Sequence, residues 1–338
     1  MTIYDISEKA GVSIATVSRV LNGSPNVSDK TREKVLDIME RYGYTPNAFA
    51  RGLGLNTMRT IGIMCADSSD PYLAKAVYYI EQKLRLNGYD SLLCCTGYAP
   101  EAKAASMNLL ITKKVDGIIL VGSNFVHEKE SENQYIADAA AQIPIMLLNA
   151  DMDVPNVYSV LSDDFTSMYE ATRQMLQSGI RDILYYYNSG SYSGKRKLAG
   201  FLAAVEESGT ADPAAVTQFY RGPHEDIHAM TAHLKKLRDS GLSFHGVIAA
   251  DDTLALAAVK YARETGYRIP EDFSVVGYNN SMLAVCCEPE LTSIDNKPET
   301  LCQHLISTLL GVLEEREMPK KTIFSGELVR RGTTRDNN

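Results

Sequence analysis

The strongest constraint on this chain is a rhythm of short, uninterrupted apolar runs that begins at Thr60, alternates with amphipathic segments and restarts in the second half. The first set is Thr60-Ile61-Gly62-Ile63-Met64, Ser91-Leu92-Leu93 and Gly117-Ile118-Ile119-Leu120-Val121, with a helical stretch from Tyr78 to Leu86 after the first run. A strand that is apolar on both faces needs cover on both faces, which predicts a parallel sheet between layers of helix. The second set, Asp182-Ile183-Leu184-Tyr185-Tyr186, Gly246-Val247-Ile248-Ala249-Ala250 and Phe273-Ser274-Val275-Val276-Gly277, repeats the pattern, so two similar α/β lobes are expected. Ligands in such sheets sit beyond the carboxyl ends of the strands.

The first sixty residues follow a helical period only. Thr2 with Asp5 forms an N-cap box, Ile3, Ile6 and Ala10 recur at helical spacing, and Gly11 stops the pattern. Ser13 then caps a second helix, placed over residues 14–22, whose Val17, Val20 and Leu21 pack inward while Ile14, Ala15, Ser18, Arg19 and Asn22 face out. Ser28 and Thr31 start a third helix that contributes Val35, Ile38 and Met39 to a small core. Two short helices joined by a glycine turn predict a helix-turn-helix, and the small, polar outer face of the second suits a major groove. Charge agrees once it is divided: the net −8 splits into +2 for residues 1–59 (eight Lys/Arg against six Asp/Glu) and −10 for the rest (26 against 36). Only the head carries the sign that phosphate attracts.

At 338 residues the chain is long enough for two or three domains. It has no run of about 18 apolar residues for a membrane span and no secretory signal pattern at Met1–Asp5, so a cytoplasmic protein away from membranes is expected. Six cysteines lie in apolar stretches without C-x-x-C spacing and are expected to be buried, reduced thiols.

The segments T-I-Y-D-I-S-E-K-A-G-V-S-I-A-T-V-S-R-V-L-N at 2–22 and G-Y-T-P-N-A-F-A-R-G-L at 43–53 resemble the lactose-repressor (LacI/GalR) family, and the resemblance runs the length of the chain. It implies an N-terminal all-α helix-turn-helix head (1–45), a hinge helix or linker (46–58), and an α/β two-lobed periplasmic-binding-protein-like body with two parallel-sheet subdomains. The lobes are placed at 59–161 plus about 290–324 and at 162–289 plus about 325–338, with crossovers near Leu161, Pro289 and Ser325. The implied function is transcription regulation, with repression as the family default: a homodimer binding double-stranded palindromic operator DNA under control of a small-molecule effector. A protein co-regulator is left open, as is induction against co-repression. Arg19 is the expected guanine contact, and Ile14 and Ala15 read thymine methyls or shape. Thr2, Tyr4, Ser13, Thr16, Ser18, Asn22 and Asn47 sit on the phosphate side. Ala50 and Leu53 belong to a hinge that folds on DNA, with Leu53 wedged into the minor groove. The tail Arg331-Gly332-Thr333-Thr334-Arg335 lacks leucine heptads, so a dimer rather than a zippered tetramer is expected.

Strand-end positions supply the expected effector set: Asp67, Ser69, Tyr72, Asn149, Lys197, Arg221, Asp251 and Asn279. Many sugar-responsive relatives carry an arginine at the position of Lys197 and aspartates at Asn149 and Asn279. Arg221 stands where they have an aromatic, although a slip of one residue brings Tyr220 there. Two lost carboxylates and a gained guanidinium predict a more cationic pocket and an anionic effector such as a sugar phosphate or sugar acid.

Other classes have less support. His224-Glu225-Asp226-Ile227-His228 matches the H-E-x-x-H zinc pattern, placed in the first turn of a helix, but Thr231 and Leu234 break its extended form. No G-x-S-x-G elbow or phosphate loop is present, so no catalytic residue, metal or cofactor is expected. A transport receptor would account for the lobes and not for the head, and a scaffold has no repeat or coiled coil to rest on.

Overall fold

The computed structural model describes residues 1–21, 23–44, 57–209 and 217–335. Three helices, α1 (Ile3–Ala10), α2 (Ile14–Leu21) and α3 (Asp29–Arg41), form the head. Thr2 and Asp5 cap α1 reciprocally: the Thr2 amide donates to Asp5 Oδ2 at 2.7 Å and the Asp5 amide to Thr2 Oγ1 at 3.4 Å. Gly11 closes α1 in the left-handed region at φ 61°, a conformation that costs a side-chain-bearing residue more. That sharp stop lets α2 start three residues later, with the Thr16 amide on Ser13 Oγ at 3.1 Å. Ile6, Ala10, Val17, Val20, Val35, Ile38 and Met39 are buried together in the head's own core.

The body begins with β1 (Thr60–Cys65), α4 (Pro71–Leu86), β2 (Asp90–Cys95), α5 (Pro100–Thr112), β3 (Gly117–Val121), α6 (Gln134–Ala140), β4 (Ile145–Leu148) and β5 (Val157–Ser162). It continues with α7 (Asp164–Gln177), β6 (Ile183–Tyr187), α8 (Tyr192–Ser208), β7 (Thr217–Phe219), α9 (Ile227–Asp239), β8 (Gly246–Ala249), α10 (Asp252–Glu264), β9 (Ser274–Tyr278), α11 (Met282–Cys286) and β10 (Thr292–Asp295). It ends with α12 (Pro298–Leu313), β11 (Lys321–Phe324) and β12 (Glu327–Val329).

These strands build two six-stranded sheets, in the orders β11-β5-β4-β3-β1-β2 and β12-β10-β9-β8-β6-β7. The first is parallel throughout, and the second is parallel except for β12, which runs antiparallel to β10 at the edge. The fully buried runs Gly117–Val121 and Ile145–Leu148 fall at the centre of the first sheet, as their unbroken apolar character requires. The chain passes between lobes at Asp163, at Asn296-Lys297 and at Ser325-Gly326. The second passage corrects the expectation at Pro289. Leu291, Thr292, Ser293 and Ile294 are buried and β10 pairs with β9, so the chain completes one more strand of the second lobe before leaving it.

The cysteines also depart from expectation. Cys65, Cys287 and Cys302 are buried and Cys94 is half-buried, but Cys95 and Cys286 are exposed. Cys95 lies on the edge strand β2 and Cys286 on the short α11, and neither element is covered on its outer side.

Candidate nucleic-acid interface and interlobe site

On the head, Ile14, Ala15 and Arg19 of α2 are exposed, and Tyr4 on α1 is 68 % exposed. Ser13 and Thr16 join their hydroxyls at 2.9 Å at the start of α2. Thr2 is committed to the cap of α1, which leaves it exposed but already engaged. Ser18 is half-buried on α2. Asn22, Asn47, Ala50 and Leu53 lie outside the described residues.

The carboxyl ends of both sheets converge where the lobes meet. In the first lobe, Asp67 accepts from the Ser69 amide at 2.8 Å and from its hydroxyl at 2.7 Å, which keeps the Asp67 carboxyl below its usual range. Ser69 also donates to Glu225 of the second lobe at 3.1 Å. Tyr72 is pinned by Asn149, whose Nδ2 donates to the phenol at 2.5 Å and whose Oδ1 accepts from the Ser162 amide at 3.1 Å. Both ends of the Asn149 amide are therefore used, and its φ of 59° places it in a region that asparagine tolerates better than most residues. Asn279 occupies the equivalent turn after β9 at φ 96°, with its Oδ1 accepting from Asn296 Nδ2 at 3.1 Å. In each lobe the strand-end asparagine ties its sheet to the neighbouring crossover.

Lys197 is buried on α8, donates to the Ala250 carbonyl at 2.9 Å and lies 3.6 Å from the centre of the Tyr278 ring. Burial lowers its pKa, opposed by Asp164, Asp251, Asp252 and Asp70 around it. Asp164 is itself buried, receives the Tyr278 hydroxyl, and has its pKa raised by the loss of water. Asp251 caps α10 through the Leu254 amide at 2.8 Å and takes Asn188 Nδ2 at 3.4 Å. Asp70 caps α4 through the Leu73 amide, and burial first, then the Asp251 carboxylate among lesser influences, raises its pKa. Further contacts close the lobes to one side: Ser123 Oγ to Ser191 Oγ at 2.9 Å, the Tyr192 amide to the Ser123 carbonyl at 3.2 Å, and the pair of Lys195 with Glu128.

Seven of the eight expected effector residues, Asp67, Ser69, Asn149, Asp251 and Asn279 after strands and Tyr72 and Lys197 on helices, thus bond within their own lobe or to the opposite lobe. Arg221 differs. It is exposed, with its guanidinium 5.1 Å over the Phe219 ring, while Tyr220 turns inward against Tyr186 and His233. The cationic pocket is corrected accordingly. Lys197 is buried against Ala250 and Tyr278 with Asp164, Asp251, Asp252 and Asp70 around it, and Arg221 stacks outside, so the two cations do not face a ligand together. The residue that strand-end counting missed is Asp70, and the signal was present: an aspartate before Pro71 marks a helix N-cap, and a helix that follows a parallel strand starts at the ligand end of the sheet.

The zinc pattern also dissolves. Asp226 is the N-cap of α9, so His224 and Glu225 precede the helix, and the two histidines share no helical face. Among the described residues no group of His, Cys, Asp and Glu could hold a metal ion, and no helix is long and apolar enough to cross a membrane.

Comparison with known proteins agrees with both halves. Residues 2–47 match the model for bacterial regulatory proteins of the lacI family, and residues 172–334 that for a periplasmic binding protein-like domain. An HTH-type transcriptional regulator of Lachnoclostridium phytofermentans is 51% identical over 334 residues, 99% of each chain. The lac repressor dimer bound to operator and the anti-inducer ONPF shares the fold with a TM-score of 0.88, at 24% identity over 99% of each chain. The CelR–cellobiose complex superposes with a TM-score of 0.71, at 26% identity over 98% of this chain and 99% of the other.

Proposed function

Because the chain belongs to the LacI family and is a DNA-binding transcription regulator, we propose that it is a cytoplasmic repressor, a homodimer that grips a palindromic operator and responds to a neutral polyhydroxylated effector, a sugar or oligosaccharide, in the interlobe cleft. Arg19 contacts guanine, Ile14 and Ala15 meet thymine methyls, and Tyr4, Ser13, Thr16 and Ser18 hold phosphates. Tyr78 on α4 and Met282 and Val285 on α11, which are 51 %, 78 % and 50 % exposed, supply apolar surface for the partner subunit.

The effector reading rests on one observation: the Ser69 hydroxyl joins Asp67 and Glu225 across the two lobes, and the Asp251 carboxylate acts on Asp70, with buried Lys197 as the cation beside Asp70 and Asp251. Carboxylates 3 Å from hydroxyls are good acceptors, whereas a phosphate or sugar acid would be repelled. A ligand donating hydroxyls to both lobes would relieve the repulsion of Asp70 by Asp251 and favour a closed cleft, and differential affinity for the two states would carry the signal to the head. That the CelR relative was solved with cellobiose supports the same ligand class.

The test is a thermal-shift and operator-binding series on the full chain, with neutral mono- and disaccharides against sugar phosphates and sugar acids at one ionic strength. A ligand at about 100 times its Kd stabilises by about 2.7 kcal/mol, a readily measured shift. Response to neutral sugars is expected, and response to anionic ones alone would overturn the proposal.

A further inference from the structure

Two thiols sit side by side outside the effector contacts. Cys65 ends β1 and Cys95 ends β2, and the two are register partners in the parallel ladder. Partners across a ladder project to the same face of the sheet, and their sulfurs are 3.9 Å apart. Adjacent strands lie about 4.8 Å apart, inside the Cα separation that a disulfide spans. Cys65 is fully buried, whereas Cys95, on the edge strand, is exposed. Cys94 points to the other face, opposite Met64.

We propose that Cys65 and Cys95 form an oxidisable dithiol, which a hydroperoxide converts to an intrachain disulfide that ties the ends of β1 and β2. The exposed Cys95 thiolate attacks the peroxide: an S–O bond forms, the O–O bond breaks, and the departing oxygen leaves as water or alcohol. The Cys65 sulfur then attacks the Cys95 sulfenic sulfur, the S–S bond replaces the S–O bond, and hydroxide leaves with the Cys65 proton as a second water. Two electrons pass from the two thiols to the peroxide. Burial pushes the Cys65 thiol up to about 12, which leaves the attack on the peroxide to the exposed Cys95, and Cys65 follows because its sulfur lies 3.9 Å away.

The tie lies directly under the segment that carries Asp67, Ser69 and Tyr72. The Thr96 amide donates to the Cys65 carbonyl at 2.8 Å and the Gly97 amide to the Ala66 carbonyl at 2.9 Å, so the two strand ends already leave the sheet together. A covalent link there restrains the turn over residues 66–72.

The experiment treats the reduced full chain with hydrogen peroxide, then alkylates and maps peptides by mass spectrometry, alongside hydrogen exchange of the native protein. The expected product has lost two hydrogens, joins the Cys65 and Cys95 peptides within one chain, and reverts with dithiothreitol. Amide exchange over residues 66–72 slows several-fold on oxidation. Cys95→Ser and Cys65→Ala each abolish the bond and the slowing, and Cys94→Ser leaves both intact. A bond between chains, a bond involving Cys94 or Cys286, oxidation halting at a sulfinic acid on Cys95, or a disulfide with unchanged exchange would each overturn the proposal.

Discussion

Asn149 shows how one side chain can look like a ligand contact and act as a fastener. Its position after β4 marks the ligand end of the sheet, yet both ends of its amide are spoken for, one by the Ser162 amide and one by Tyr72. Ser162 is buried at the first passage between lobes. Removing the acceptor strands that amide away from water, which costs about 1–3 kcal/mol. A further penalty of about 1 kcal/mol comes from alanine at positive φ. Asn149→Ala should therefore lower stability by at least about 2 kcal/mol, visible as a fall in melting temperature without ligand. An unchanged melting point would mean that the amide serves the effector alone. Sequence placed this residue correctly along the strand, but nothing in its neighbours announces that Tyr72 and Ser162 converge on it from 77 and 13 residues away.

At the scale of elements, the second lobe depends on how closely α7 and α8 approach. A Cβ built on Gly200 would lie 2.2 Å from the Phe165 carbonyl oxygen and 3.1 Å from the Tyr169 amide nitrogen, both backbone atoms that a side-chain rotation cannot move aside. Gly200→Ala should force the helices apart and cost about 1–3 kcal/mol, with Lys197 one turn earlier shifted from Ala250. Gly190 is the control, since its Cβ would meet nothing within 4 Å and its φ is ordinary. Equal melting points for Gly200→Ala and Gly190→Ala would refute the close-packing argument. Helix caps were legible in the head, where spacing alone put Thr2 and Ser28 one residue before a helix whose third amide they accept. Asp70, Asp226 and Asp251 do the same in the body, where Asp70 was missed, Asp226 was read within the zinc pattern and Asp251 as a ligand contact.

For the whole molecule, the proposed dimer makes a claim about surface. Met282 is 78 % exposed on α11, next to a groove of about 920 Å³ lined partly by Leu256, Val259 and Cys286. Met282→Asp places a charge that must lose its water if a partner covers this face. Sedimentation should shift toward monomer at micromolar protein, with operator affinity falling steeply because two heads no longer act as one ligand. A variant that remains fully dimeric would move the interface elsewhere.

What the sequence determined by itself was local or periodic. The switch from helical spacing to unbroken apolar runs near Thr60 marked the head and the two lobes, because each secondary structure imposes its own period on burial. The outward face of α2 followed from the same rule. Tertiary structure decided the quantities that depend on distance through space. It put β10 into the second lobe past Pro289, since strand pairing and not a proline ends a domain. It also decided where the charges near the cleft point. Counting residues at strand ends weighs every charge equally, but a charge acts on a ligand only where its group points and only if no nearer partner has taken it. Arg221 stacks outside on Phe219, and Lys197 is buried against Ala250 and Tyr278 among Asp164, Asp251, Asp252 and Asp70, so carboxylates outnumber the cation they surround.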